Sequence, residues 1–193
     1  MAKRPPSKPA PKWTDVKSRL AEFDRPGLLG LIQDLYSAHE DTRIFLHTRF
    51  GLGQDALELY KKRIDRWLYP DVFLKQDVSL SKARQAIADY QKAVGQPEGR
   101  AELTVYYCEQ AAAFCKSYGN DDWAYLSSML SMFAQALKLA STLPAGARDS
   151  LVARLDRVRG VSHKFGYGLG EEMDLLLSSF AECAGDSPPP ALS

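Results

Sequence analysis

Long apolar runs are missing from this sequence. Nothing in it approaches the ~18 uninterrupted apolar residues that a membrane-spanning helix needs, so no membrane partner is expected. Charge of one sign is missing as well: 25 Lys+Arg stand against 24 Asp+Glu, a formal net charge of +1, and the total points to no polyanionic ligand. Cysteine is scarce. The three present, Cys108, Cys115 and Cys183, are too few for a disulfide scaffold. Cys108 and Cys115 lie on one side of a helical run, where seven residues span roughly 10 Å. A disulfide needs Cα atoms within about 7 Å. Both therefore read as buried, reduced thiols, which fits a reducing cytoplasm. The start of the chain is basic but has no apolar stretch behind it, so no signal peptide is expected there.

Proline is scarce in the middle. Seven of the eleven prolines fall at the ends: Pro5, Pro6, Pro9 and Pro11, then Pro188, Pro189 and Pro190. Proline fixes φ and removes a backbone donor, so residues 1–13 and 185–193 are expected to be extended, disordered tails. The first tail carries Lys3, Arg4, Lys8 and Lys12 with no acid. The expected single domain between the tails, 14–184, holds 21 basic and 23 acidic residues and is slightly acidic.

Within 14–184, apolar residues recur every three to four positions between glycine and proline breaks, the period of amphipathic helices. Thr14 caps a first helix to about Phe23, with Val16, Leu20 and Phe23 on one face. Asp24 caps a second, with Pro26 in its first turn and a stripe of Leu28, Leu31, Ile32 and Leu35. A third runs from Asp41 to Phe50 and ends at Gly51. A fourth, from Gln54 to Leu68, aligns Leu57, Tyr60, Ile64, Trp67 and Leu68. After a loop at 70–78, whose Val72, Phe73 and Leu74 should tuck inward, Ser79 or Ser81 caps a fifth helix. It runs to Val94, with Ala83, Ala86, Ile87, Tyr90 and Val94 inward and Gly95 as its left-handed stop.

Pro97 opens a sixth helix to Tyr118, and Asn120 caps a seventh from Asp121 to Leu143. An eighth covers about Arg148 to Arg159 before Gly160. A ninth carries Met173, Leu176, Leu177 and Phe180. The sixth (Tyr106, Tyr107, Ala111, Ala112, Phe114) and the seventh (Trp123, Leu126, Met129, Leu130, Phe133, Leu137) are apolar on more than one side, which marks them as the central pair. No alternating run of β-branched residues appears, so no strand is expected. The expected fold is all-α: about nine helices in antiparallel helix pairs, either an array or a bundle.

Several stretches in order carry a resemblance. They are the basic opening Met-Ala-Lys-Arg-Pro, Leu59-Tyr60-Lys61-Lys62-Arg63-Ile64 leading to Tyr69-Pro70, and Leu80-Ser81-Lys82-Ala83-Arg84 leading to Asp89-Tyr90. Tyr118-Gly119-Asn120 and Gly166-Tyr167-Gly168 complete the series. Together they resemble the bacterial and archaeal proteins grouped as domain-of-unknown-function family 6155. That resemblance implies an all-α fold and supplies no activity, so no catalytic residue is carried over.

Chemistry-bearing constellations do not assemble. His39 and His47 lie eight apart, not at the four-residue spacing that puts two imidazoles on one helix face. His163 stands alone, and no Cys–His spacing suits zinc. The run Gly166-Tyr167-Gly168-Leu169-Gly170 precedes a helix as a phosphate-cradling loop does, but Glu171, Glu172 and Asp174 follow and repel a phosphate. It reads as a bend or close helix contact. Lys61, Lys62, Arg63 and Arg66, offset by Glu58 and Asp65, read as a solvated basic face. No catalytic, metal or cofactor site is expected. The leading expectation is a non-enzymatic adaptor-like module that binds a protein partner through a groove or face between helices. The alternative is a nucleic-acid accessory protein using Lys3, Arg4, Lys8, Lys12 and Trp13, whose cations reach phosphates while the aromatic stacks on a base.

Overall fold

The computed structural model describes residues 10–52, 55–70 and 77–185, the side chains of 183–185 excepted. Among the described residues it forms nine helices and no strand: α1 (Trp13–Leu20), α2 (Arg25–Ala38), α3 (Glu40–Arg49), α4 (Ala56–Leu68), α5 (Leu80–Ala93), α6 (Pro97–Tyr118), α7 (Trp123–Ala140), α8 (Ala145–Ser162) and α9 (Leu169–Gly185). The chain is all-α. Where the sequence suggests one domain over 14–184, the residues group into two units, Met1–Leu46 and His47–Ser193, and the division falls within α3. Of the expected tails at 1–13 and 185–193, residues 1–9 and 186–193 lie outside the described residues, as do Val72, Phe73 and Leu74 of the loop, while Trp13 opens α1 and Gly185 ends α9.

Local chemistry sets the helix boundaries. The Asp24 carboxylate accepts the Gly27 N–H at 2.8 Å, and Asp55 accepts the Leu57 N–H at 2.9 Å. Each satisfies a donor that a helix start leaves unpaired. Gly51, Gly95 and Gly119 close helices with φ of +65°, +74° and +64°, conformations that need the missing Cβ. Two caps differ from expectation. Asp122, not Asn120, starts α7 by accepting the Tyr125 N–H at 2.8 Å, because a carboxylate also complements the helix dipole. Helix α1 begins one residue before Thr14, with Asp15 accepting the Lys12 N–H at 2.7 Å.

Gly160 does not stop α8, which runs on to Ser162. An interior glycine costs a helix about 1 kcal/mol, and the burial of Val158 and Ser162 on either side of it outweighs that.

In the first unit no described side chain is buried. Of the two stripes that the helical period picks out, Val16 on α1, Phe23 in the turn after it, and Leu28, Leu31, Ile32 and Leu35 on α2 are exposed, and Leu20 is half-buried.

The second unit has a dense core. Helix α6 packs against α4, α5, α7 and α8, while α7 packs against α6, α8 and α9. The expected central pair is therefore found, and each helix leans mainly on its next and next-but-one neighbours. That pattern belongs to stacked helix pairs. Leu103, Tyr107, Leu126, Met129, Phe133, Leu155 and Met173 are fully buried, each aliphatic among them worth roughly 1.5–3 kcal/mol of transfer free energy. Two buried tyrosine hydroxyls find partners: Tyr107 bonds Ser128 at 2.8 Å, and Tyr125 donates to the Leu68 carbonyl at 2.8 Å and ties α7 to the end of α4. The closest approach is at Gly99, where an added Cβ would lie 1.9 Å from the Tyr90 hydroxyl. Only glycine lets α5 and α6 meet there.

Candidate functional site

The residues that the sequence marks for nucleic-acid contact are only partly placed. Lys3, Arg4 and Lys8 lie outside the described residues. Lys12 and Trp13 stand at the start of α1, and Trp13 is 68% exposed. The acid Asp15 occupies that first turn. His39 is the residue between α2 and α3, His47 lies within α3, and among the described residues no three His, Cys, Asp or Glu groups gather as a metal set. Cys108 and Cys115 are buried free thiols. Burial pushes Cys115 up to about 11 and Cys108 further, so neither forms a thiolate at neutral pH. The Cys183 side chain lies outside the described ones.

The basic run of α4 is a solvated face only in part. Lys61 turns toward α6 and pairs with Glu102 at 3.2 Å and with Glu58 at 3.3 Å. Arg63 pairs with Asp89 of α5 at 3.1 Å, and Arg66 lies over the Trp67 ring. Lys62 and Arg66 keep to the exposed side as expected. A polar ladder continues from Lys61. Glu102 pairs with Arg154 of α8, whose guanidinium also grips Glu109 through two bonds of 2.8 and 2.7 Å. Burial pushes the Glu102 carboxyl up, but the Arg154 and Lys61 hydrogen bonds win and hold it below the ordinary range. Beside it, Tyr106 donates to Asp65 at 2.8 Å. Burial dominates there and raises the Asp65 carboxyl. These groups sit on α4, α6 and α8, where Lys61 and Arg154 are each shared between two acids, so the ladder clamps the three helices together and leaves neither cation free for a substrate.

A different arrangement forms where α6 ends, α7 begins and α8 turns into α9. Three consecutive residues, Gly166, Tyr167 and Gly168, have φ of +69°, +55° and +68°. Positive φ costs a side-chain-bearing residue roughly 1–2 kcal/mol, and Tyr167 is 65% exposed, so burial does not offset it. Its ring instead packs on Trp123, centroids 5.4 Å apart at 56°. Trp123, expected in the core of α7, is 55% exposed. It is the first residue after the Asp122 cap, where the chain has not yet turned its face inward.

Next to this aromatic pair opens a cleft of about 580 Å³, lined by Cys115, Asn120, Lys116 and Lys164 with one acid, Asp121. No family model, curated protein or solved structure matches the chain. The site is therefore read on its own chemistry: two cations and two open aromatic faces, with no paired nucleophile and base.

The turn itself is pinned from both sides. Gly170 lies so close to α8 that an added Cβ would sit 2.5 Å from the His163 ring and 2.8 Å from its Cα. His163 Nε2 stands 3.2 Å from Asp174, which also accepts from Arg159 at 2.8 Å. The glycine run thus serves as a bend and a close helix contact. The His163–Asp174–Arg159 cluster escaped sequence reasoning, although its 11- and 15-residue separations bridge two helices across one tight turn. No sequence signal marked the Trp123–Tyr167 pair.

Proposed function

We propose that the chain is a non-catalytic helical module that binds a protein partner through the apolar face of α2. One observation carries the reading. Leu28, Leu31, Ile32 and Leu35 follow the i, i+3, i+4, i+7 pattern of a packed helix, yet they are 36%, 36%, 45% and 44% exposed, in a unit with no buried side chain among its described residues. Helix α2 carries only Arg25 and Asp34 as charges, so its partner is selected by apolar shape rather than by charge. The matching chemistry is an amphipathic helix laid along the stripe. Finishing the burial of four aliphatic side chains is worth roughly 0.5–1 kcal/mol each, enough to bias an association without making it irreversible. Cytoplasmic residence belongs to the same reading and is supported by the buried thiols Cys108 and Cys115. Among the described residues no helix is long and apolar enough to cross a membrane. The order of motifs supports kinship with family 6155, which adds no activity.

The test compares the tagged chain with its Leu31→Asp/Leu35→Asp variant in affinity capture from the source cell. The wild type should retain a stoichiometric protein that the variant loses, while both melt alike because the changed side chains are exposed. Identical capture by both would end the proposal. The exposure of Trp13 beside Lys12 supports a second reading, nucleic-acid contact through residues 1–13. Salt-dependent retention on single-stranded nucleic acid that disappears on deleting 1–13 would favour it.

A further inference from the structure

The glycines of the strained turn let α8 and α9 pack closely, but the aromatic pair beside them stands mostly outside the core of the second unit. Tyr167 and Trp123 are both more than half exposed, yet backbone strain holds them together. Residues held in sparsely populated backbone regions cluster at active sites, ligand clamps and switch regions. The shape of the pair limits what that ligand is. Centroids 5.4 Å apart mean rings already in contact, so no nucleobase inserts between them. The notch between two tilted rings instead takes the compact, puckered ring of proline, the mode by which aromatic-lined grooves hold polyproline II segments. Such a segment arrives with φ already fixed and its carbonyls unpaired. Lys116, Lys164 and Asn120, on the wall of the adjoining cleft, supply donors for those carbonyls. The two lysines also favour an acid beside the prolines.

The chain contains one segment of that composition: Asp186-Ser187-Pro188-Pro189-Pro190. Its other proline-rich stretch, residues 1–13, carries four cations and no acid and is repelled by the same lysines. The acidic segment cannot reach its own cleft. Helix α9 starts two residues after Tyr167 and runs 17 residues, about 25 Å, to Gly185. Pro190 lies five residues further on, no more than about 18 Å of extended chain. We infer that the cleft beside Trp123 and Tyr167 binds the Asp186–Pro190 segment of a second copy of this chain. Each copy then offers one cleft and one segment, so the contact either closes reciprocally in a pair or continues head to tail.

The probe is a fluorescein-labelled peptide of residues 186–193, titrated into the full-length protein and followed by polarisation, beside sedimentation velocity of the unlabelled protein across concentration. Saturable binding is expected. It should weaken at least tenfold with Tyr167→Gly, which removes the ring and relaxes the backbone, and tenfold when Pro188, Pro189 and Pro190 of the peptide are replaced by alanine. The same Tyr167→Gly change should abolish concentration-dependent association of the full chain. Leu31→Asp/Leu35→Asp should bind the peptide as the wild type does, which separates this site from the α2 face. The inference is overturned if the wild type does not bind the peptide at millimolar concentration, or if the alanine peptide binds equally. Displacement of the peptide by a single-stranded oligonucleotide at equal concentration would also overturn it and make the cleft a nucleic-acid site.

Discussion

Replacing Tyr167 in two ways isolates the strain at the α8–α9 turn. In the wild type the left-handed φ of +55° costs roughly 1–2 kcal/mol, and the packing of Tyr167 on Trp123 returns about 0.5–1.5 kcal/mol before solvent weakens it. Tyr167→Gly removes both and adds about 0.5–1 kcal/mol of extra unfolded-chain entropy. These three contributions nearly cancel, so the glycine variant should lie within about 1 kcal/mol of wild type. Tyr167→Ala loses the ring but keeps a Cβ in a conformation that disfavours one. It should be less stable than the glycine variant by about 1 kcal/mol.

At an ordinary position this exposed, substitutions differ by no more than about 0.5 kcal/mol, so the Gly–Ala gap is the diagnostic quantity. Urea unfolding followed by circular dichroism at 222 nm measures it, with a common m-value confirming that compactness is unchanged. In a chain of this length the gap corresponds to a Tm difference of about 2–4 °C. An alanine variant equal to or more stable than the glycine variant would show that 166–168 relaxes without strain. The case for a ligand at Trp123 and Tyr167 would then lose its foundation.

Three further outcomes follow from the second unit. Gly99→Ala should destabilise by about 1–2 kcal/mol in a thermal melt, because overpacking against the Tyr90 hydroxyl 1.9 Å away outweighs the helix-propensity gain; in a Tyr90→Leu background the loss should vanish. Arg154→Ala should cost about 1–2 kcal/mol by leaving Glu109 without its cation and Glu102 with Lys61 alone, a figure lowered for the 20% of Arg154 that stays exposed. Because the Glu102 carboxyl is held low in the fold, its contribution is complete above the unfolded value near 4.3 and is lost as pH falls further. An acid titration of stability should therefore be less steep in Arg154→Ala. Asp65 behaves oppositely: burial raises its carboxyl, so Asp65→Asn should be as stable as wild type or more so at pH 7. Any gain should shrink as pH falls and Asp65 itself takes up a proton; a clear loss of stability at pH 7 would mean that Tyr106 needs a charged acceptor.

What could be read in advance was whatever a residue's immediate neighbours decide. Gly51, Gly95 and Gly119 each follow an apolar period and each adopts positive φ, because a helix end needs a left-handed residue at that place. Gly160 has the same neighbours yet stays helical, since the burial of Val158 and Ser162 comes from other helices that no local window contains. The Lys61–Glu102–Arg154 ladder is invisible for the same reason. Its members lie 41 and 52 positions apart, and only the stacking of α4, α6 and α8 brings them together. Nothing in Lys61-Lys62-Arg63 announces that two of the three are committed to acids on other helices.

Helical periodicity says which side of a helix is apolar, not what covers it. For α6 and α7 the cover is the rest of the second unit. For α2 the same pattern, Leu28, Leu31, Ile32 and Leu35, is left open. Trp123 was expected inward and faces out, and Tyr167 holds a conformation that a residue with a Cβ avoids. In a sequence whose local and tertiary preferences otherwise agree, such disagreements concentrate where something besides folding has selected the residue. An apolar stripe kept open is a cost in solubility, and a strained tyrosine is a cost in stability. Two mutations, one per site, would show whether these costs are incidental. If Leu31→Asp and Tyr167→Gly each leave the melt unchanged while removing a different association, both positions are held by binding, and the α6–α7 core is the rigid frame that keeps the second of them in place.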